Sequence, residues 1–560
     1  MNENRRKADD FIRKHGIKKI RLVFSDQNGL MRGKNVSAEI FLKSIESGIG
    51  FAQSIFAMDI EGETIAETGL LWEHGDPDYH AMADLDTLTL VPWKENTAQV
   101  IVDAVVAGHK PFFADPRFIL KKILAQLAHA GYTAKVASEL EFYLLHGDTR
   151  LPTTSGTQAY SILHLVSVEK VLEQFETNAA AMGLAVEATL SEYAPGQFEI
   201  NLRYADALQM ADHTFLFRNM VKETAAQMGY HATFMAKPFA DSAGSSFHLH
   251  ISLWREMMNV FAGALPANEL PLPLQHFIGG CQHYLKPAMA FFAPHVNSYK
   301  RLRPGSYAPI NDSWGRDNRS VSLRVPAAEG SASRLENRIP GADGNPYLVI
   351  AAALAIGWLG LQEKLSPKTP ITGNAYELPA TVPRDLHAAL EELHRSAFPD
   401  IILMDIGLPG MSGIEGVQKV KAISPETRVV MLTVFDENDM IFRAICAGAS
   451  GYLLKSESTE RIIESLQDVL NGGAPMNAQI AAKVVDMFSR LAAPKANYGL
   501  TPREREILQC LVDGLAKKQI ADKLFLSFHT IDMHMRGIYT KLQVHSRSGA
   551  VAKALKENLL

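Results

Sequence analysis

The chain has 560 residues, of which 47% are hydrophobic and 21% charged, and its formal net charge is −5. This length is too great for one ordinary domain and predicts about three or four units, each with enough apolar residues for a core. The three cysteines, Cys281, Cys446 and Cys510, lie far apart, so they indicate neither a disulfide framework nor a zinc site and fit a reducing cytosol.

Membrane insertion is not expected. The N-terminus leads into no apolar signal core. The longest apolar run, Tyr347 to Leu361, is shorter than the roughly 20 residues of a membrane span and predicts a buried helix in a cytoplasmic protein.

The charge is unevenly distributed. Residues 501–560 contain ten Lys or Arg and six Asp or Glu, so a basic tail follows an acidic body. This asymmetry suggests a separate task for the tail. A helical domain with a chance excess of lysine explains the charge alone equally well.

The N-terminal region, residues 1–108, begins with a predicted helix from Ala8 to His15 and a strand from Ile20 to Phe24. The strand ends at a turn formed by residues 26–29, whose Asp-Gln-Asn-Gly sequence is typical of turns. A second region starts near Phe113.

The stretch Ala137 to Leu144 is typical of a β-strand with an apolar face. Its alternation places Glu139 and Glu141 together on the other face. Two neighbouring carboxylates repel each other unless a cation lies beside them. The pair therefore predicts either a cation site or the solvated face of an edge strand.

Further acids and histidines occur in short β-like runs downstream. They are Glu192, Glu199, His248, His250 and Glu336. Carboxylates with one or two imidazoles suit two hard divalent cations, Mg²⁺ or Mn²⁺. Arg319 and Arg324 are suited to binding phosphate. The combination suggests ATP-dependent chemistry.

These motifs, with those at residues 233–238 and 297–301, resemble the glutamine synthetase family from about residue 15 to about residue 390. Residues 55–60 and 313–319 are more similar to γ-glutamyl-polyamine synthetases. The resemblance implies a β-grasp domain at residues 1–108 and a catalytic domain at residues 109–395 that lacks the family's C-terminal tail. It also implies a homo-oligomeric ring with active sites between subunits.

The resemblance further implies residue roles, with ATP and two metal ions in each site. One metal would be held by Glu141, Glu192 and Glu199. The other would be held by Glu139, His248 and Glu336. The substrate glutamate would meet Gly244, Arg301 and Arg338. ATP would meet Glu187, His250, Ser252, Arg319, Arg324 and Arg334. The catalytic residues would be Arg301, Arg319 and Tyr307.

The amine acceptor is predicted from two departures from ammonia-using relatives. Those relatives carry an aspartate in the loop after Phe51 and a glutamate where this chain has Tyr307. Tyrosine has an ordinary pKa of about 10 and is a poor base at neutral pH. We therefore predict an alkylamine, diamine or polyamine rather than ammonia.

Residues 396–490 resemble a response-regulator receiver with a flavodoxin-like parallel sheet. Asp405 would be the phosphoacceptor, with Thr433 and Lys455 as its partners. The first strand and its Mg²⁺-binding acids should lie about 45 residues earlier, where this chain has the apolar run around Ala351 to Gly360. The receiver is thus predicted to be incomplete and Asp405 to be a poor phosphoacceptor.

Residues 491–499 are a predicted linker, and residues 500–560 resemble an all-α LuxR-type helix-turn-helix. Gln519 to Leu524 would be the first helix, and Ser527 would cap a recognition helix from Phe528 to Leu542. Candidate DNA contacts are Lys517, Lys518, His529, Met533, Arg536, Lys541 and Arg547. Asp532 stands where relatives often have lysine, and an acid facing DNA costs affinity or favours a cytosine edge.

Three overall interpretations remain open at this point. The chain is a glutamate-amine ligase with a DNA-binding tail, a transcription regulator whose synthetase-like part senses ligands without turnover, or a recombinant fusion without coupled function. The complete set of six predicted metal ligands favours the enzyme.

Overall fold

The computed structural model describes residues 3–72, 75–157, 159–262, 270–396, 401–407, 411–424, 427–434, 437–470, 472–477, 479–485, 498–557 and 559. They belong to two compact units, Met1–Ala397 and Phe398–Leu560. Residues 397–400 and 408–410 of the predicted receiver, and residues 491–497 of the predicted linker, lie outside the described residues.

The first unit opens with a seven-stranded sheet and two helices. The helices are α1 (Glu3–His15) and α2 (Ala38–Ser44). The strands are β1 (Lys19–Ser25), β2 (Met31–Ser37), β3 (Ile49–Ala52), β4 (Asp78–Ala83), β5 (Thr89–Leu90), β6 (Thr97–Val106) and β7 (Lys110–Pro111). The order is β2-β1-β6-β4-β3, with β5 and β7 also paired to β6. Helix α1 and strand β1 confirm the predicted elements, and Gly29 supplies the positive φ of 75° in the turn after β1.

A nine-stranded sheet forms the centre of the same unit. Its strands are β8 (Thr133–His146), β9 (Val186–Ser191), β10 (Gln197–Asp206), β11 (Tyr230–Thr233), β12 (Phe247–Arg255), β13 (Met258–Asn259), β14 (Trp314–Arg316), β15 (Leu323–Val325) and β16 (Leu335–Asn337). The order is β14-β15-β16-β12-β8-β10-β9, with β11 on β8 and β13 on β12. The edge-strand alternative for residues 137–144 is wrong, because β8 is hydrogen-bonded on both sides.

Helices pack against this sheet around one large core. They are α3 (Pro116–His129), α4 (Ile162–Ser167), α5 (Glu169–Ala181), α6 (Ala207–Gln227), α7 (Leu272–His283), α8 (Leu285–Phe292), α9 (Val296–Tyr299), α10 (Pro346–Glu363) and α11 (Leu386–Ser396). Leu140, Phe142 and Leu144 of β8 are fully buried in that core. Their alternation leaves the two glutamates of β8 on the opposite face, as the sequence predicted.

Helix α10 confirms the buried helix predicted for the apolar run. Asn345 caps it by accepting the backbone N–H groups of Tyr347 and Leu348, and Pro346 occupies the first turn. It is the one helix in the described part of the chain that is long and apolar enough to cross a membrane, and 61% of that window is buried inside the protein. We therefore interpret it as a core helix.

The second unit contains a three-stranded parallel sheet in the order β17-β18-β19. Its strands are β17 (Ile401–Met404), β18 (Arg428–Thr433) and β19 (Gly451–Leu454), and its helices are α12 (Gly413–Ile423), α13 (Asn438–Cys446) and α14 (Thr459–Leu470). The parallel βα pattern is confirmed. The window that should have supplied the first strand lies in α10, and within the described ranges β17 is an edge strand with Leu403 43% exposed.

Four helices end the chain, namely α15 (Pro502–Val512), α16 (Lys517–Leu524), α17 (Phe528–Leu542) and α18 (Arg547–Lys556). Thr501 and Glu504 form a capping box at α15, and Ser527 accepts the N–H of Thr530 at α17. The predicted bounds of the recognition helix are those of α17, whereas its partner α16 begins two residues before the predicted start.

Candidate functional site

Cross-strand register places the predicted metal ligands on one face of the nine-stranded sheet. His248 lies directly opposite Glu139, and Glu199 lies opposite Glu141. Glu336 of β16 lies opposite His250 of β12. Residues directly opposite each other in antiparallel strands share a face, so acids from three strands and both histidines of β12 converge.

Two groups of three residues there have the geometry to hold a metal ion. The first is Glu139, His248 and Glu336, and the second is Glu141, Glu199 and His248, with ligand atoms within 4.8 Å of one another in each. The first group contains the three residues predicted for one metal. In the second, His248 takes the place predicted for Glu192.

In the second group, burial and mutual repulsion disfavour the ionised form of the carboxylates unless a cation binds. Burial, followed by the charge of Glu192, raises the pKa of Glu141 to about 8. Burial and the neighbouring carboxylates also raise the pKa of Glu199 well above its ordinary value, and burial raises that of Glu192. A divalent cation would reverse these shifts, because it favours the ionised form of every carboxylate. The His248 Nε2 atom is buried without a hydrogen-bond partner in the described structure, which leaves it available as a ligand.

Hydrogen-bonding and positively charged neighbours stabilise the ionised carboxylates of the first group. Burial opposes the ionisation of Glu336, but Arg338 and the two histidines lower its pKa to about 2. Arg324 and Arg338 lie 2.7 Å and 2.5 Å from its two carboxylate oxygens. Despite burial, hydrogen bonds with His248 and His250 lower the pKa of Glu139.

His250 links an arginine to a predicted metal ligand. The Arg334 Nε–H donates to His250 Nδ1 at 3.0 Å, so the ring proton lies on Nε2, which is 2.9 Å from Glu139 Oε1. The histidine therefore orients Glu139, a role that the sequence did not suggest.

A cavity of about 410 Å³ adjoins this face and contains most of the predicted ATP residues. Its lining includes Glu139, Glu187, His250, Ser252 and Arg334. It also includes three residues that sequence reasoning missed, Lys135, Tyr204 and Trp254. The Lys135 Nζ lies 4.5 Å from the Trp254 ring centre. Extending the alternation of His248, His250 and Ser252 by one step would have found Trp254.

The residues predicted to bind glutamate are deeply placed. Arg301 is 2% exposed and donates to Ser246 Oγ at 3.1 Å and to the Ile339 carbonyl. A Cβ at Gly244 would lie 2.3 Å from Arg301 Cγ, so glycine is required for this approach. Arg319, which was predicted to bind ATP and to be catalytic, lies on an exposed turn two residues after Asp317. The Asp317 carboxylate pairs with Arg324 at 2.5 Å.

The predicted acceptor side contains two exposed tyrosines. Tyr307 is 60% exposed at a φ of 57°, and its ring centre is 6.5 Å from that of Tyr193. The loop after Phe51 contains no acid of its own, but Asp76 accepts hydrogen bonds from the Ser54 backbone N–H and Oγ at 2.9 Å and 2.8 Å. Sequence reasoning missed this carboxylate, which is already occupied by Ser54.

In the receiver-like part, Asp405 follows β17 and its Oδ2 lies 2.6 Å from Lys455 Nζ. The hydrogen bond from Lys455 lowers the pKa of Asp405. Thr433 ends β18 and accepts the backbone N–H of Lys455 through its carbonyl. Within the described ranges, both candidate metal groups lie in the nine-stranded sheet and neither includes Asp405.

The candidate DNA contacts fall into two sets. His529, Met533 and Arg536 lie on the exposed face of α17, and Lys518 of α16 is exposed. The other candidates, and Arg536 among the exposed ones, already have partners. Lys517 and Arg536 bind Asp532, Lys541 lies 2.6 Å from Glu504, and Arg547 donates to the Leu515 carbonyl at 3.0 Å. Their role as phosphate contacts would require these bonds to be exchanged.

Comparisons with known families match three parts of the chain. Residues 113–405 match the glutamine synthetase catalytic domain. Residues 374–467 match the response regulator receiver domain, and residues 499–554 match the bacterial regulatory proteins of the luxR family. The first two matches overlap at residues 374–405.

Curated relatives and a solved structure cover the first part. The chain is 41% identical to the glutamate–isopropylamine ligase of Pseudomonas sp, covering 69% of this chain and 87% of the relative. It is 36% identical to the γ-glutamylputrescine synthetase PuuA of Escherichia coli (strain K12), covering 64% and 78%. The solved structure described as a GmaS/ADP complex has a TM-score of 0.63 and 30% identity, covering 69% of this chain and 90% of that one.

Proposed function

Because the chain belongs to the glutamine synthetase family, we propose that it is an ATP-dependent ligase that joins the γ-carboxylate of glutamate to an organic amine. The observation that carries this proposal is the pair of buried ligand groups around His248, which lie beside the 410 Å³ cavity. A protein that only sensed glutamate would not need to retain such repelling buried carboxylates.

The proposed reaction has two steps. The γ-carboxylate oxygen of glutamate attacks the γ-phosphorus of ATP, and ADP leaves. The amine nitrogen then attacks the γ-glutamyl phosphate carbonyl, the amide bond forms, and phosphate and a proton leave. Two Mg²⁺ or Mn²⁺ ions would neutralise the transferring phosphoryl group and its acceptor.

Each group of residues has a distinct task in this proposal. Glu139, His248 and Glu336 would hold one ion. Glu141 and Glu199 would hold the other, together with Glu192, whose charge acts on Glu141. Arg301 and Arg338, with the backbone at Gly244, would bind the carboxylates of glutamate. Glu187, His250, Ser252 and Arg334 would line the nucleotide site, where the Trp254 ring and Lys135 offer a stacking surface. Arg319 and Arg324 would bind phosphate, with Arg319 also assisting its transfer.

We propose an alkylamine, diamine or polyamine as the acceptor. Support comes from Tyr193 and Tyr307, whose exposed rings lie with their centres 6.5 Å apart and offer an organic ammonium group a cation–π surface. The relatives named for isopropylamine and putrescine add to this support. A bare ammonium ion would find fewer compensating contacts there.

The proposal extends to the assembly and the tail. We propose a homo-oligomeric ring with shared active sites, DNA binding by α15–α18, and a cytoplasmic location. The matches to the glutamine synthetase catalytic domain and to the luxR family support these proposals. The alternative is a transcription regulator with a non-catalytic synthetase part. The overlap of two family matches at residues 374–405 favours a third candidate, a recombinant fusion in which the parts act separately.

The test is glutamate- and ATP-dependent phosphate release by the full chain with Mg²⁺ or Mn²⁺. Acceptors would be ammonium, ethanolamine, isopropylamine, putrescine and spermidine. We expect turnover with at least one organic amine, its loss in Glu141→Gln, and its retention in Glu173→Gln, which changes an exposed acid of α5. Folded protein that is silent with every acceptor would overturn the ligase and favour the regulator.

A further inference from the structure

The recognition helix α17 presents an acid on its outward face. His529, Asp532, Met533 and Arg536 recur at the helical spacing of three and four residues that defines one face. The opposite face is the buried one and consists of Ile531, Met535, Ile538 and Leu542. Asp532 therefore lies among the side chains expected to approach DNA.

Asp532 binds two cations from two different helices. Lys517, the first residue of α16, donates to Asp532 Oδ1, and Arg536 Nη2 lies 3.0 Å from Asp532 Oδ2. Hydrogen bonding to Lys517, and then the charge of Arg536, lowers the pKa of Asp532, so the carboxylate is ionised at neutral pH. Both of its oxygens are engaged, while the Lys517 and Arg536 side chains remain 41% and 82% exposed.

We propose that Asp532 is an intramolecular competitor of DNA phosphate that weakens sequence-independent binding by the helix pair. This inference rests on the DNA-binding role proposed for the tail. Non-specific affinity comes from cations that neutralise phosphates and release counterions. Together with Asp532, Lys517 and Arg536 carry a net charge of +1 instead of +2, so their attraction for phosphate is reduced as long as the two ion pairs persist.

The competition matters because other basic residues of the tail are also occupied. Lys541 pairs with Glu504 and also donates to the Gly499 carbonyl, and Arg547 donates to the Leu515 carbonyl. Within the helix pair α16 and α17, as far as the structure describes it, the remaining basic residues Lys518 and Lys523 make no ion pair. Freeing two more cations would thus change the attraction to DNA substantially. When the sequence-independent attraction is weaker, discrimination between DNA sequences depends more on contacts with the bases.

The experiment measures binding of the full chain to a labelled mixed-sequence duplex of about 40 base pairs, between about 0.05 M and about 0.2 M salt. We expect Asp532→Asn to bind about fivefold or more tightly at the lowest salt, with a slope of log K against log salt steeper by about 1. Asp513→Asn makes the same change in charge at the end of α15, where Asp513 accepts from Gln509, and should leave the slope unchanged.

Two more variants separate competition from general charge. Asp532→Glu keeps the carboxylate and should bind as the wild type does. In the double variant Lys517→Gln with Asp532→Asn, the net charge of the three residues returns to that of the wild type, so the gain should be largely lost. Lys517→Gln alone leaves Asp532 paired with Arg536 at a net charge of zero and should bind more weakly than the wild type. Circular dichroism melting of each variant verifies that it is folded.

The outcomes distinguish this inference from the role on which it rests. If the wild type binds DNA in a salt-dependent way but Asp532→Asn binds with equal or lower affinity, the inference is wrong and the DNA-binding role stands. Absence of salt-dependent binding in the wild type and in every variant defeats the DNA-binding role and the inference with it.

Discussion

At the scale of single residues, Tyr307 gives the most direct test of acceptor choice. Its exposed ring has its centre 6.5 Å from that of Tyr193. The family resemblance predicts that ammonia-using relatives carry a glutamate at this position. Tyr307→Glu should shift the ratio of kcat/KM for ammonium over that for the best amine upward by about tenfold or more, because an acid favours a small cation and removes an aromatic surface. Initial-rate phosphate release with each acceptor measures this ratio.

The matched variant for Tyr307 is Tyr307→Phe. It keeps the ring and removes the hydroxyl group, so amine preference should persist if the ring acts as a wall. A preference lost equally in Tyr307→Phe and Tyr307→Glu would show that the hydroxyl group, and not the ring, selects the acceptor.

The raised pKa values of the buried acids predict how metal binding depends on pH. In the metal-free fold, Glu141 holds a proton up to about pH 8 that the unfolded chain releases near its ordinary pKa of 4.5, so this contribution to stability falls as pH rises through that window. Metal binding requires the ionised form and opposes this loss. The rise in melting temperature on adding Mn²⁺ should therefore be larger at about pH 8.5 than at about pH 6.

Glu199→Gln supplies the comparison for this pH effect. It removes a predicted metal ligand and a repelling charge together, so the metal-free variant should be at least as stable as the wild type. Its response to Mn²⁺ should be smaller than that of the wild type and should no longer increase with pH, because only the group Glu139, His248 and Glu336 remains complete. Glu173→Gln should respond to Mn²⁺ as the wild type does. If Mn²⁺ raised the melting temperature of the wild type equally at both pH values, a cation site formed by Glu141 and Glu199 would be contradicted.

At the scale of elements, the strand β17 is predicted to be an aggregation hazard. Receivers cover this edge with a strand that the described residues of this chain do not supply, and Leu403 is 43% exposed on it. An uncovered apolar edge pairs with other chains. Leu403→Lys should therefore lower light scattering on storage or heating while leaving the melting temperature of the second unit within about 2 °C.

The fully buried Val430 in β18 provides the contrasting change. Val430→Lys places a charge inside the small sheet and should unfold the receiver-like part. Aggregation of Leu403→Lys at the rate of the wild type would show that this edge is not the site of association.

The elements also show what a sequence can and cannot predict. The bounds of α17 follow from Ser527 and the local apolar pattern, and the two faces of β8 follow from alternation. The grouping of His248 with Glu141 and Glu199 depends on the register between three strands, which alternation within each strand does not determine. The occupation of Lys517 and Lys541 likewise depends on the approach of separate helices.

At the scale of the whole molecule, the two compact units are predicted to unfold independently. The division at Ala397 falls within residues 374–405, where the matches to two families overlap, and each unit is compact by itself. Differential scanning calorimetry should show separate transitions for the first unit and for the parts of the second.

ADP with Mn²⁺ should raise the melting temperature of the first unit only, because a ligand stabilises the state that binds it. The Glu139→Gln chain, which lacks the carboxylate that lines the nucleotide cavity and belongs to the first ion group, should lose most of that rise. A single transition that shifts as a whole would instead show that the synthetase part and the DNA-binding part are energetically coupled, and ligand binding to one would then alter the other.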